Sequence, residues 1–331
     1  MPNFELTPTN ENVDRLISRF EDRRIKPEKE FADLYYEYGD DMARTEQIGA
    51  VYDEQHAEVK LGKAAEALVF SELLKHEAGQ HFDIRPTSHY DDYFHGVDLL
   101  IEPRNAPLQS LASIDITINQ EDIKGTHRSS GQYAEERPVG LEKKLLRSRA
   151  YTDRLANLDA THARDLSAWI GSGGLHEMKT ADNKRYFSEA ERLFLMKYYT
   201  APDSSNEPNK PGFVIGGPQA VISIDSVFVN KALQGNKSAA TTIGDLALLE
   251  FVSCVQAEQE YLDSIVKHKK DRNIFFDTHY SKVRSWSHIF DKPEIGGLVG
   301  DILKRNQGNR EFREQLAYYA QTFNKLKMDS R

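Results

Sequence analysis

The chain has 331 residues, 39% of them hydrophobic and 29% charged, with a formal net charge of -9. That length fits one large domain or two smaller ones, with enough apolar residues for a sizeable core. The charge balance excludes a strongly basic, histone-like DNA binder, and a single cysteine, Cys254, excludes a disulfide framework and a cysteine-based zinc site.

One cysteine suits a reducing compartment. Residues 1–6 carry no basic segment followed by an apolar run, so no signal peptide is expected. The apolar stretches fall short of the ~20 residues a membrane helix needs. The expected location is therefore cytoplasmic. The charge is uneven: residues 1–60 hold 15 acids and 8 bases, whereas residues 262–285 hold 6 bases and 3 acids.

In chain order, Val13, Leu16, Ile17 and Phe20 recur at helical spacing, Pro27 breaks the run, and Phe31, Leu34 and Tyr35 resume it. A longer helix is predicted from Thr45 to His76, with Leu61, Ala65, Leu68 and Val69 as its apolar stripe and Gly79 beyond its end. Three β-like runs follow, at His81–Thr87, Gly96–Glu102 and Leu111–Asn119. Residues 120–138 read as a long polar loop, and Val139–Leu158 as a helix. Gly171–Gly174 and 201–212 carry loop signals. Phe213–Val229 reads as one or two strands, and the pattern is helical from Ile243 onward, ending in an amphipathic helix over Arg310–Lys327.

These elements predict an α/β or α+β fold with helical additions at both ends. Three parts are expected: an N-terminal helical arm (1–44), an α/β core (45–232) and a C-terminal helical region (243–331).

Three carboxylates stand out. Glu66 lies on a helix face it shares with Gly62, at the edge of the apolar stripe, although Glu72 falls closer to that stripe by helical phase. Asp98 opens one apolar strand and Asp115 lies within another, where an acid costs folding energy unless it is paired. If the two strands are neighbours, Asp98 and Asp115 come close, and the repulsion between them favours a proton or a cation. Hard divalent cations prefer such oxygen ligands. The plain alternative is a surface acid at Glu66, a turn residue at Asp98 and an outward-facing acid at Asp115.

A helix glutamate, then Gly96-Val97-Asp98, then Asp115-Ile116-Thr117 resembles the PD-(D/E)XK, or restriction-endonuclease-like, nuclease superfamily, with threonine where the motif has lysine. The resemblance covers about half the chain. It implies a core of helix, three-stranded meander, helix and strand. It also implies Mg²⁺ or Mn²⁺ held by Asp98 and Asp115 with Glu66 assisting, and phosphodiester hydrolysis in nucleic acid, DNA first and RNA second. In this superfamily the lysine can migrate. Candidates are Lys63, Lys124, Lys143 and Lys144, with Lys143 or Lys144 favoured because their helix should pack near the sheet.

Lys143, Lys144, Arg147, Arg149 and Arg154 form a basic run, either a solvated helix face or a phosphate-tracking surface. His89–His95 reads as a polar loop, with His95 a candidate base beside the carboxylates. The alternative function is a silent member of the fold, or another α/β protein, that binds nucleic acid or a protein partner. A homodimer is compatible with the sequence.

Overall fold

A computed structural model describes residues 11–27, 29–54, 57–104, 111–119, 140–176, 180–200 and 211–328. Lys124, the loop 120–138 and most of 201–212 lie outside the described residues.

The fold is mixed α/β with a small mixed sheet. Helices α1 (Glu11–Glu21), α2 (Lys29–Ala32), α3 (Tyr38–Glu54) and α4 (Ala57–Lys75) precede strands β1 (Phe82–Pro86), β2 (Leu99–Pro103) and β3 (Ala112–Asn119). Then come α5 (Gly140–Asn157), α6 (Ala160–Gly171), α7 (Ala181–Glu191), β4 (Phe194–Thr200), β5 (Pro211–Ile215) and β6 (Gln219–Asp225). The chain continues as α8 (Ser226–Leu233), α9 (Lys237–His268), α10 (Ile274–Phe290), α11 (Pro293–Arg305) and α12 (Arg310–Met328).

The main sheet runs β1-β2-β3-β6. The first three strands form an antiparallel meander, and β6 joins β3 in parallel after the long excursion that contains α5. Strands β4 and β5 form a separate antiparallel hairpin.

Side-chain alternation divides the sheet. Leu99, Ile101, Ile114 and Ile116 face a core completed by Val69 and Leu73 of α4, Leu246 and Phe251 of α9, and Tyr319 of α12. Leu100 joins a second core with Tyr151 and Leu155 of α5, Met196 and Tyr198 of β4, and Phe31 and Tyr35 of the N-terminal segment. The three parts expected from the sequence thus share two hydrophobic cores. Of α9, which is long and apolar enough to cross a membrane, 78% of the most apolar window is buried inside the fold.

Several local expectations change. The single helix expected over Thr45–His76 is α3 and α4, with residues 55 and 56 between them not described. The strand expected to run to Val229 stops at Asp225. The Asp225 carboxylate accepts a hydrogen bond from Val227 N at 2.7 Å and caps α8. Strand β4 is not among the elements expected from the sequence. The polar loop at His89–His95 contains a π-helical turn, Asp91–His95, closed by Gly96 at φ 66°, whose N–H points to the Asp91 and Asp92 carbonyls.

Candidate active site

The site lies at the start of β2, where α4, the π-turn, β3 and α5 meet. Asp98 precedes β2, but its N–H already donates to Ile114 O at 2.8 Å. Since Leu99 pairs with Ile114, Asp98 falls beside Asp115, on the sheet face opposite Leu99 and Ile114. Asp98 Oδ2 accepts from Ile116 N at 2.6 Å, so the aspartate is locked to the neighbouring strand.

Glu66 projects from α4, and oxygens of Glu66, Asp92 and Asp98 lie within 4.8 Å of one another. Asp92 joins them because its neighbour Asp91 anchors the π-turn. Asp91 is buried, accepts from Ser88 Oγ at 2.7 Å, and caps the backbone N–H groups of Lys197 and Tyr198 at 2.7 and 3.1 Å. Asp115 is outside this trio and pairs instead with Lys144, which also donates to Ile116 O. Lys144 is on the buried edge of α5, three residues after Leu141 and one before Leu145, and its side chain is 25% exposed. Lys143 is exposed, and no contact joins it to these acids.

The electrostatics follow from crowding. Burial, then the charges of Asp98 and Asp92, push the Glu66 carboxyl well above the usual carboxylate range, against Arg24 and Lys144. Burial and Asp98 raise Asp92 in the same way. Asp115 is pushed up to about 7 by burial, with Asp98 adding to the effect and Lys144 opposing it. Lys144 is raised, because the attraction of Asp115 and Asp98 outweighs its own burial.

Arg24 was not anticipated. Its side chain is 3% exposed and its guanidinium lies 3.1 Å from Glu66 Oε2, 3.0 Å from Asp92 Oδ2 and 3.1 Å from Glu21 Oε2. No local pattern could reveal this, since α1 and its following turn reach the site through packing on α4 and contacts with the segment before β2. Asp92 was equally hidden within a word that reads as a polar turn.

The structure thus brings Glu66, Asp98, Asp115 and Lys144 together, adds Asp92 and Arg24, and leaves Lys143 aside. Glu72 stands apart from the cluster, paired with Lys75 at 2.6 Å on the surface of α4. His95 Nδ1 lies 3.0 Å from Phe194 O, so it points to β4 rather than to the acids.

The donor set fits a hard divalent cation. It is all oxygen, and two of its carboxyls, raised first by burial, are raised further by the charge of Asp98, a repulsion that a cation would relieve. Arg24 already supplies one positive charge there. Comparison with protein-family models, with curated proteins and with solved structures finds no match to this chain.

Proposed function

We propose that the chain is a metal-dependent nuclease of restriction-endonuclease-like fold, hydrolysing phosphodiester bonds in nucleic acid, DNA first. The order α4, β1-β2-β3, α5, β6, with β6 parallel to β3, supports that core. One observation carries the activity: the Lys144 ammonium sits on Asp115, although the sequence offers only Thr117 in the lysine position.

Glu66, Asp92 and Asp98 would hold Mg²⁺ or Mn²⁺, with Asp115 beside them. When bound, such an ion polarises a phosphoryl oxygen and acidifies water. The chain's own residues do the rest. Lys144, partly exposed and held by Asp115 and Ile116 O, presents a fixed positive charge to the oxygens where negative charge builds in hydrolysis. Asp98, fixed by Ile116 N, sets the spacing between the acids and the strand edge.

Arg24 favours a second reading, a nucleic-acid-binding protein that does not cut, because its guanidinium neutralises two of the acids without any ion. The two readings separate on purified protein given DNA or RNA with Mg²⁺ or Mn²⁺. The nuclease reading expects cutting that is lost in Asp98→Ala and in Asp115→Ala. Cutting that survived in both variants would refute the site, and no cutting of any polymer would favour the silent reading.

A further inference from the structure

Beside the carboxylates a cleft of about 410 Å³ opens between the π-turn, α5 and the end of α7. Four arginines line it: Arg44, Arg147, Arg154 and Arg192. Among the described residues its one lining carboxylate, Glu191, is already engaged by Tyr90 Oη at 3.2 Å and Lys197 Nζ at 3.4 Å. Among the described residues none of the four arginines has a carboxylate within ion-pairing distance. Arg154 donates to Arg192 O at 3.0 Å, and Arg44 lies over the Phe94 ring at 4.6 Å. A concave surface carrying four like charges and one occupied acid is an electrostatic well for an anion.

The cleft adjoins the acids. Lys144, Arg147, Tyr151 and Arg154 follow one another at three- and four-residue steps, so they share one face of α5. Lys144 serves the acids and the next turn serves the cleft. Gly96 forms the narrow point between them: a Cβ there would lie 3.5 Å from Asp115 Oδ2 and 3.6 Å from Arg147 Nη1. A chain of phosphates crossing Gly96 would pass from Lys144 to Arg147.

The cleft's size, roughly within the 300–1,000 Å³ of small-ligand sites, suits one nucleotide. A paired base inside a duplex offers only groove edges, so a base can enter only when it is unpaired. Guanidinium groups grip phosphate in a fixed fork, and the Arg44–Phe94 stack offers a flat surface for a base.

We infer that this cleft takes one unpaired nucleotide of the substrate strand, its phosphate held by Arg147, Arg154 and Arg192 and its base against the Arg44–Phe94 stack. The substrate is then a single strand or a frayed strand end, not continuous duplex. This rests on the nuclease reading for the direction of the strand, but the cleft is tested by binding alone.

The test uses the full chain carrying Asp115→Ala, which holds substrate uncut, and fluorescence anisotropy with a single-stranded oligonucleotide and the matching blunt duplex. The single strand should bind at least about tenfold more tightly than the duplex. Adding Arg192→Ala, or Arg154→Ala with Arg192→Ala, should lower single-strand affinity about tenfold, the scale of one lost stacking or phosphate contact, with an unchanged melting temperature. Equal binding of the two probes, or single-strand affinity indifferent to these arginines, overturns the inference even if the wild type cuts nucleic acid. Arginine-dependent single-strand binding by a wild type that cuts nothing upholds the cleft and rejects the nuclease reading.

Discussion

Among the described residues, two groups of three carboxylates are crowded together, and each has a lysine. In one, Glu37, Asp41 and Glu191 surround Lys197; in the other, Glu66, Asp92 and Asp98 stand beside Asp115 and Lys144. Lys197 and Asp41 are fully buried and 2.5 Å apart. The rings of Tyr35, Tyr90 and Phe187 lie 5.6, 5.3 and 5.1 Å from the ammonium, and Tyr198 Oη donates to Asp41 at 2.7 Å. The Lys197 side chain itself is fully shielded, although Glu191, 3.4 Å away, is 31% exposed. Lys144 keeps 25% of its side chain open, and Glu66 and Asp92 keep 17% and 19%. Acid count does not distinguish a structural ion pair from a chemical site. Access to the lysine does; burial and neighbouring acids raise carboxyls in both groups, Glu37 in the first and Glu66 and Asp92 in the second.

That contrast breaks most visibly at Lys197. Replacing it with methionine strands Asp41 in the core, where Asp41 Oδ1 already lacks a hydrogen-bond partner. Lys197→Met should cost about 3–5 kcal/mol of stability, as expected for half of a buried ion pair. Adding Asp41→Asn should recover part of the loss. Urea denaturation measures both, and a loss under about 1 kcal/mol, the scale of a surface pair, would mean that this cluster is not the sealed structural one.

At Lys144 the effect should fall on catalysis. Lys144→Ala should slow cleavage by about 10²–10³, the range for losing one fixed donor to developing oxyanion charge. Its effect on folding should be mild. Asp115, already pushed up to about 7, can take a proton when its partner goes. A variant that unfolds as readily as Lys197→Met, or cuts at the wild-type rate, would erase the distinction between the two lysines.

Arg24 tests the same acids from the other side. Arg24→Ala removes a charged hydrogen bond to Glu66 and an ion pair to Asp92 and should cost about 2–3 kcal/mol. If those acids are a cation site, Mn²⁺ should then raise the melting temperature of the variant more than that of the wild type. Equal shifts in the two proteins would indicate that the ion binds elsewhere.

How much of this was readable beforehand depended on whether the cause was local. The helix expected at Val139–Leu158 is α5, Gly140–Asn157, because Leu141, Leu145 and Leu155 repeat on one face. The same phase separates Lys144 from Lys143, a signal present in the sequence. Glu66, Asp98 and Asp115 were visible as acids in apolar settings. Strand β4 was not, since Lys197 at its centre interrupts the apolar pattern and is tolerated chiefly through Asp41, more than 150 residues earlier. Asp92 and Arg24 owe their roles to partners brought in by packing, and such partners leave no periodicity in their own segments.

A third lysine sharpens the comparison. Lys282 on α10 donates to Ile215 O at 2.8 Å and Gly216 O at 3.2 Å, with no carboxylate contributing. Burial alone therefore decides its charge and pulls the ammonium down from 10.5 to about 8, opposite in direction to Lys144. Between those two pH values the unfolded chain holds a proton that the folded chain has released, so stability rises with pH across the window. The contribution is complete above about 10.5 and is lost as pH falls through about 8. The gap sets a ceiling of about 3.5 kcal/mol at about 1.4 kcal/mol per pH unit, and partial exposure reduces the expected change to about 1–2 kcal/mol. Lys282→Met removes the titrating group while filling the same space. The stability of the wild type minus that of the variant, from urea midpoints at several pH values, should climb through this window, because other groups titrate equally in both proteins. A flat difference would mean that the two carbonyls hold the Lys282 ammonium charged, and that carboxylates are not what sets the lysines of this fold apart.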